Sequence, residues 1–340
     1  MRVTAIVVNW NGAHHLERSL GSLLAQDHGD LDILVVDNAS SDASADVLGR
    51  LMDGPGRPRL RVHWNRRNRG YAGGVNDGLG LTDAPAVLVA NPDVRLEPGY
   101  VRNALDALVA EPRRGAVQGR LLRPRPDALG RRIVDTTGHV AFRTRLFHNR
   151  GEGLPDDGRW ERPGEVFGVS GALALYRREM LDDVAVDGEV LDERLFAYWE
   201  DVDLDWRAAL RGWDAWYEPR AVAEHERGGS GPRRTPRVEQ LSFQNRLLML
   251  VKCDAPRSLV RDLPGFVTTT TLKAAELALT APTALVRSLG ATGLLPAMLG
   301  KRRVIQARAT VPTEEVVERW FQPFDYPSWV WTWWRRSRAT

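Results

Sequence analysis

VLVANPDVRL, residues 87–96, reads as a buried strand that stops at a turn and presents a carboxylate just beyond its end. Val87, Leu88, Val89 and Ala90 form a short uncharged β-type run, and Asn91-Pro92-Asp93 breaks it with ordinary turn chemistry. The same rhythm runs upstream. VTAIVVNW (3–10) is a strand; residues 14–26 carry Leu16, Leu20, Leu23 and Leu24 at helical spacing; LDILVVDN (31–38) is a strand again. A helix is expected over 40–52, with Ser40 as its N-cap, then a strand over 59–64, a helix beginning within 74–81 and a strand over 85–90. Strands alternating with helices imply right-handed crossovers and an α/β, Rossmann-like, doubly wound and mainly parallel sheet. Ligands of such sheets sit beyond the carboxyl ends of the strands, which places Asp37 and Asp93 on one ligand edge.

Residues 120–165, rich in Arg, Pro and Gly, read as a loop or small hairpin region. VFGVSGALALY (166–176) is strand-like, with Gly168 and Gly171 around Ser170. Residues 195–213 are expected to form a helix whose acid-crowded start suits the positive end of the helix dipole, and 215–223 a last strand running into Glu224-His225. A core domain then closes near residue 230. Residues 231–340 form a helical C-terminal region. Its apolar stretch, 259–300, is interrupted by Arg261, Asp262, Lys273, Glu276 and Arg287, so no uncharged run reaches the roughly 18–20 residues of a spanning helix. Helices lying in a membrane interface, or packed on the core domain, both fit.

Of the 340 residues 43% are hydrophobic, enough for a proper core. The single cysteine, Cys253, excludes an internal disulfide and a multi-cysteine zinc site and points to the cytosol, and no secretory signal is visible. A formal net charge of +3 gives no case for nucleic acid. Residues 301–340 are locally basic and end in Trp329, Trp331, Trp333 and Trp334, the composition of a peripheral anchor on the cytoplasmic membrane face or of a tail tucked onto the protein's own surface.

Four segments carry chemistry: Asp37, Asn91 to Asp93, the acidic run Glu200-Asp201-Val202-Asp203, and His225. One carboxylate and one imidazole, Asp93 and His225, suit a divalent cation that also binds a diphosphate. An aspartate in the first turn of a helix, Asp201, suits a general base toward an alcohol.

VVNWNG (7–12), VVDNASSD (35–42), NRGYAGGVNDGL (68–79), NPDV (91–94), GVSGALALYRREM (168–180), FAYWEDVDLDWRAALRGW (196–213) and His225 resemble, in order and spacing, the inverting family 2 glycosyltransferases of the GT-A fold. The resemblance covers about residues 1–230 and implies a nucleotide-sugar half to about 95 and an acceptor half over about 96–230. NPDV with YWEDVDL looks most like the bacterial rhamnosyltransferase branch, whose members often use dTDP-L-rhamnose. It implies that Asp37 contacts the base or ribose, and that Val8, Asn9, Asn11, Asn38, Asn68, Gly70, Tyr71, Asn76, Asn91, Asp93 and Gly171 line the nucleotide-sugar site. It further implies that Asp93 and His225 bind Mg²⁺ or Mn²⁺, and that Asp201 is the base, with Glu200 as the alternative. Asn91 departs from the family's Asp-x-Asp pattern and leaves fewer charged ligands. The implied reaction is a single displacement with inversion, onto a glycan or polyprenyl-linked saccharide of cell-surface polysaccharide assembly; a retaining hydrolase would need a second, nucleophilic carboxylate.

Three rivals are set against this. A dinucleotide oxidoreductase lacks its G-x-G-x-x-G after the first strand, where Asn9-Trp10-Asn11-Gly12 stands. A non-catalytic sugar-nucleotide-binding module on the same fold is the second. A UDP-sugar donor, such as UDP-galactofuranose, is the third.

Overall fold

The computed structural model describes residues 1–53, 59–227 and 235–326. The chain opens with β1 (Val3–Asn9), α1 (Ala13–Leu24), β2 (Leu31–Asp37), α2 (Ser44–Met52), β3 (Leu60–Trp64), α3 (Gly70–Gly80) and β4 (Ala86–Ala90). It continues with β5 (Val94–Leu96), α4 (Tyr100–Val109), β6 (Arg114–Leu122), β7 (Val134–Thr136), β8 (His139–Phe142), β9 (Phe147–Asn149) and β10 (Gly164–Val166). Then come β11 (Leu173–Arg177), α5 (Arg178–Val184), α6 (Glu200–Leu210) and β12 (Asp214–His225). The C-terminal region holds α7 (Pro236–Cys253), α8 (Pro256–Arg261), α9 (Leu263–Thr280), α10 (Pro282–Ser288), α11 (Leu295–Arg308), α12 (Thr313–Trp320) and β13 (Phe321–Gln322).

The main sheet runs β10-β12-β6-β11-β4-β1-β2-β3, with β5 added to β12 and β7 to β6. From β4 through β3 all pairs are parallel, as the alternation predicts. Side chains of β1 alternate between two layers. Val3, Ala5 and Val7 pack with Leu16, Leu20 and Leu23 of α1 and Tyr100, Ala104 and Leu108 of α4. Ile6 and Val8 pack with Val75 and Leu79 of α3, with α5 and with Leu204 of α6. Helix α3 lies unusually close to the sheet because it has glycines where it crosses β1: a Cβ on Gly74 would stand 2.6 Å from Val8, and one on Gly78 2.5 Å from Ile6. Any larger residue there would lift the helix off the strand.

Where the sequence reading departs from the structure, long-range contacts are the cause. β11 is antiparallel to both its neighbours, β4 and β6, so the second half of the sheet is mixed. Val166 to Tyr176 is two strands with a loop between, because Val169 N–H and Ser170 N–H bond to Asp205 and Gln118 side chains instead of a ladder. The helix expected from residue 195 begins at Glu200, after Phe196, Tyr198 and Trp199 with φ of 63°, 71° and 72°. Ser40 caps no helix; α2 starts at Ser44, and Ser40 is drawn into the loop beyond β1.

The C-terminal helices pack against the part that carries the main sheet. Met249, Leu250 and Cys253 of α7 and Ile305 of α11 share a core with Trp206 of α6 and Phe147. Buried ions fasten the seam: Lys252 sits 2.7 Å from Asp192 and 2.8 Å from Asp203, Lys301 reaches Asp192 at 2.8 Å, and fully buried Arg145 reaches Asp254 at 2.7 Å. No helix among the described residues is long and apolar enough to cross a membrane. The basic tail with Trp329, Trp331, Trp333 and Trp334 lies outside the described residues.

Candidate active site

The carboxyl ends of β1, β2, β3 and β4 form one edge. Asn9 and Asp37, paired in register at the ends of β1 and β2, are both buried there. Asp37 takes hydrogen bonds from Asn9 Nδ2 at 2.8 Å, Ser40 N at 2.9 Å and Ser40 Oγ at 2.7 Å. Its carboxylate thus organises the loop that carries Asn11, whose N–H donates to Ser40 Oγ at 2.9 Å. Asn38 donates to the Gly70 carbonyl at 2.8 Å, and Asn68 Oδ1 accepts from Gly70 N–H at 2.8 Å, shaping the start of α3. Val8 points into the core beneath α3, and Asn76 ties α3 to Leu191 through bonds of 2.8 and 3.0 Å, so neither side chain faces the edge freely. Asn91 N–H donates to the Ala172 carbonyl. Trp10, directly after β1, and Trp64, at the end of β3, stand 40% and 45% exposed on this edge; an aromatic closing a strand was the available signal, and sequence reasoning passed over both.

Asp93 and His225 meet because of strand register. Val94 of β5 pairs with His225 of β12, which sets His225 Nε2 3.4 Å from Asp93 Oδ1. β7, paired to β6, brings Asp135 to 2.7 Å from His225 Nδ1, and Arg227 pairs with the same aspartate. Burial opposes charge on this imidazole, but the bonds to Asp135 and Asp93 more than reverse it and raise its pKa to about 9. Two donors on one divalent ion at about 2.1 Å lie about 3 Å apart at right angles, so this pair has the spacing of a shared cation, with the ring fixed from behind by a carboxylate. Among the described residues no cluster of three or more metal-ligating side chains is preassembled. Bound phosphate oxygens would have to complete the shell, and the imidazole would release its proton.

Helix α6 supplies the acids. Glu200 is buried, and burial with the Asp201 charge beside it pushes its carboxyl well above the usual carboxylate range, which favours the neutral form. Asp203 is spent on Lys252 and Arg207. Asp201 is the open one: its side chain is 21% exposed and accepts Gly171 N–H at 3.0 Å. Tyr71 of α3 joins the two groups. Its hydroxyl donates to the Gly171 carbonyl, and burial, together with the charges of Glu200, Asp201 and Asp93, raises its pKa well above that of an ordinary phenol. The charges of Asp93, beyond β4, and of Asp201, on α6, both act on this one hydroxyl.

A family model, Glycosyl transferase family 2, matches residues 4–185. The chain belongs to this family. An N-acetylglucosaminyl-diphospho-decaprenol L-rhamnosyltransferase of Mycobacterium tuberculosis is 31% identical over 251 residues, covering 67% of this chain and 77% of that protein. Among solved structures, the mannosyltransferase PcManGT from Pyrobaculum calidifontis, in complex with GDP-Man and Mn²⁺, superposes with a TM-score of 0.54 at 20% identity, over 90% of this chain and 87% of that one. TarS of S. aureus in complex with UDP-GlcNAc gives a TM-score of 0.54 at 15% identity, over 96% and 94%. The fold of this family 2 glycosyltransferase is thus the GT-A arrangement, extended by C-terminal helices.

Proposed function

We propose that this enzyme moves L-rhamnose from dTDP-L-rhamnose, with inversion, onto a hydroxyl of a polyprenyl-linked saccharide at a membrane surface. The observation that carries the transfer reading is Asp201, the most exposed acid of α6, which accepts the Gly171 N–H at 3.0 Å while the Tyr71 hydroxyl donates to the carbonyl of the same glycine. The mycobacterial relative, similar over two-thirds of the chain, supports rhamnose and a lipid-linked acceptor. Asp201 accepts the proton of the acceptor hydroxyl, and the oxygen attacks the anomeric carbon from the face opposite the nucleotide, which departs as diphosphate. Glu200, favoured in its neutral form, is the weaker candidate for that proton. Asp93 and His225 hold the divalent ion, Mg²⁺ or Mn²⁺, whose charge when bound offsets that of the leaving diphosphate. Asp37 and Asn11 shape the nucleotide loop, and Tyr71 holds the Gly171 segment against Asp201.

The outer faces of the C-terminal helices support the membrane part. Leu272, Leu279, Val286, Leu289 and Leu299 are exposed on α9 to α11 and the turn between them. Between Leu263 and Pro312 the only acid is Glu276, paired with Lys273, whereas Arg287 and Arg303 are exposed. Such a face suits peripheral contact with an anionic bilayer. Flotation with vesicles containing anionic lipid should carry the protein up, and neutral vesicles should not; the reverse preference ends this part of the reading.

The test of the activity is a thermal-shift screen with Mg²⁺ or Mn²⁺ and dTDP-, UDP- and GDP-sugars, followed by transfer assays on a lipid-linked saccharide. A metal-dependent shift confined to dTDP-rhamnose is expected. A shift with UDP-sugars alone replaces the donor, and binding without turnover on any acceptor favours a sugar-nucleotide-binding module.

A further inference from the structure

Asp201 is backed by a second buried pair. One helical turn along α6, Asp205 projects on the same face, and His139 of β8 lies against both. Its Nδ1 is 2.7 Å from Asp205 Oδ2 and its Nε2 3.7 Å from Asp201 Oδ2. The imidazole and Asp205 are almost fully buried. Val169 N–H donates to both oxygens of Asp205, at 3.1 and 3.2 Å, and His139 N–H donates to the Gly168 carbonyl at 2.8 Å. No side chain fits at Gly168, where a Cβ would land on the Asp205 carboxylate. Three elements distant in sequence are thus locked around one ring whose free nitrogen points at the most exposed acid of the helix.

We infer that His139, clamped by Asp205, is a positioning residue for Asp201: it sets an imidazole nitrogen opposite that carboxylate and fixes its direction among its acidic neighbours. This rests on the reading of Asp201 as the base. The ionisable groups around the pair are Glu200, Asp201 and Asp205 on α6, Tyr71 on α3 and Tyr176 on β11, with Asp93 acting on Tyr71 from beyond β4. All are acids or phenols, so among the described residues His139 is the one base facing the group. Burial lowers the affinity of the ring for a proton, and the charge of Asp201 with the bond to Asp205 raises it above the ordinary histidine value.

Two measurements test this. Imidazole resonances of ¹⁵N-histidine protein are titrated in wild type and Asp201→Asn, with His139 assigned by its loss in His139→Gln. The midpoint of His139 should fall by about one pH unit in Asp201→Asn, because a facing negative charge is gone; an unchanged midpoint overturns the inference. In transfer assays His139→Gln should lower kcat about 10²-fold with the donor KM within about threefold, and move the acid limb of the kcat profile to higher pH, since the imidazole that faces the base is gone. A limb that stays in place also overturns it, as packing loss alone lowers the rate without moving the limb. A fallen midpoint in a protein that turns over no donor keeps the coupling and removes the transferase reading instead.

Discussion

His225 and His139 have the same local arrangement and different surroundings. Each Nδ1 is 2.7 Å from one buried aspartate, Asp135 or Asp205, and each Nε2 faces a second, Asp93 at 3.4 Å or Asp201 at 3.7 Å. The difference lies behind the inner carboxylate. Asp135 has the Arg227 guanidinium beside it; although burial opposes ionisation, the bond to His225 and the arginine hold it below the usual range. Asp205 is held by His139 and the Val169 N–H, and burial pushes it up to about 6. The His225 group is a closed ion-pair network in which two cations, His225 and Arg227, balance Asp93 and Asp135, so a metal would have to displace the proton of the imidazole. In the His139 group the imidazole and Asp205 are buried together, and the outer carboxylate, Asp201, is the most exposed acid of α6. A second difference is mechanical: strand register of β5, β7 and β12 builds the first, whereas the second hangs on α6 and, through it, on the C-terminal helices.

If the two groups divide donor from acceptor chemistry, substitutions should separate them. Asp93→Ala has the largest expected effect: transfer falls about 10³-fold or more, and the metal-dependent stabilisation by donor, roughly 2.7 kcal/mol at a hundredfold excess over Kd, disappears. Retained donor stabilisation with metal would break the comparison at its first group. Asp201→Asn should lower kcat about 10³-fold while leaving that stabilisation intact, measured by the same thermal shift. Loss of both in Asp201→Asn would mean that one group, not two, holds the ligand.

How much of this was readable from the residues follows from the range of the contacts. β1, β2, β4 and α1 have their period in their own residues, so the parallel half of the sheet was legible. Asp93 could be placed on the ligand edge from the strand pattern, and the acid at a helix start and the strand-end histidine from residue type, whereas their combination into one site came through motif resemblance. The partners of the two imidazoles were not. Asp135 and His139 lie in a stretch of strands three and four residues long, where no period can establish itself. Asp205 looked like one more acid in a helix that already had several. The late start of α6 is imposed from outside: Asn245 of α7, fully buried, donates to the carbonyls of Leu195, Ala197 and Tyr198 at 2.7, 3.0 and 3.0 Å.

The C-terminal attachment can be loosened by itself. Lys252→Met removes the cation shared by Asp192 and Asp203 and should destabilise the fold by about 3–5 kcal/mol at pH 7, read from urea unfolding. The sign with pH follows from Asp192. Burial alone would raise its pKa, but Lys252 and Lys301 hold it far below that of an unfolded aspartate. Its contribution is therefore present above about pH 4 and fades as the pH falls toward the folded value, so the gap between wild type and Lys252→Met should narrow in acid. A gap that widens there would mean the network is not what the lysine stabilises.

Asn245→Ala is the smallest change and the sharpest test of the mechanical difference. Left-handed φ at Phe196, Tyr198 and Trp199 costs of order 1–3 kcal/mol per residue and persists only where neighbours impose it. Without the amide, three carbonyls lose their donor and the segment has reason to relax, taking with it the orientation of Glu200 and Asp201 at the head of α6. The stability loss should be about 1–3 kcal/mol. Because Asp93, Asp135 and His225 are built by strands that Asn245 does not touch, donor-induced thermal shift should stay at its wild-type value while kcat falls about tenfold. If donor binding falls with kcat, the strained segment supports the whole cleft and the two imidazole groups are one mechanical unit. If neither changes, α6 keeps its geometry by its own packing and its buried ion pairs, and the amide only satisfies carbonyls.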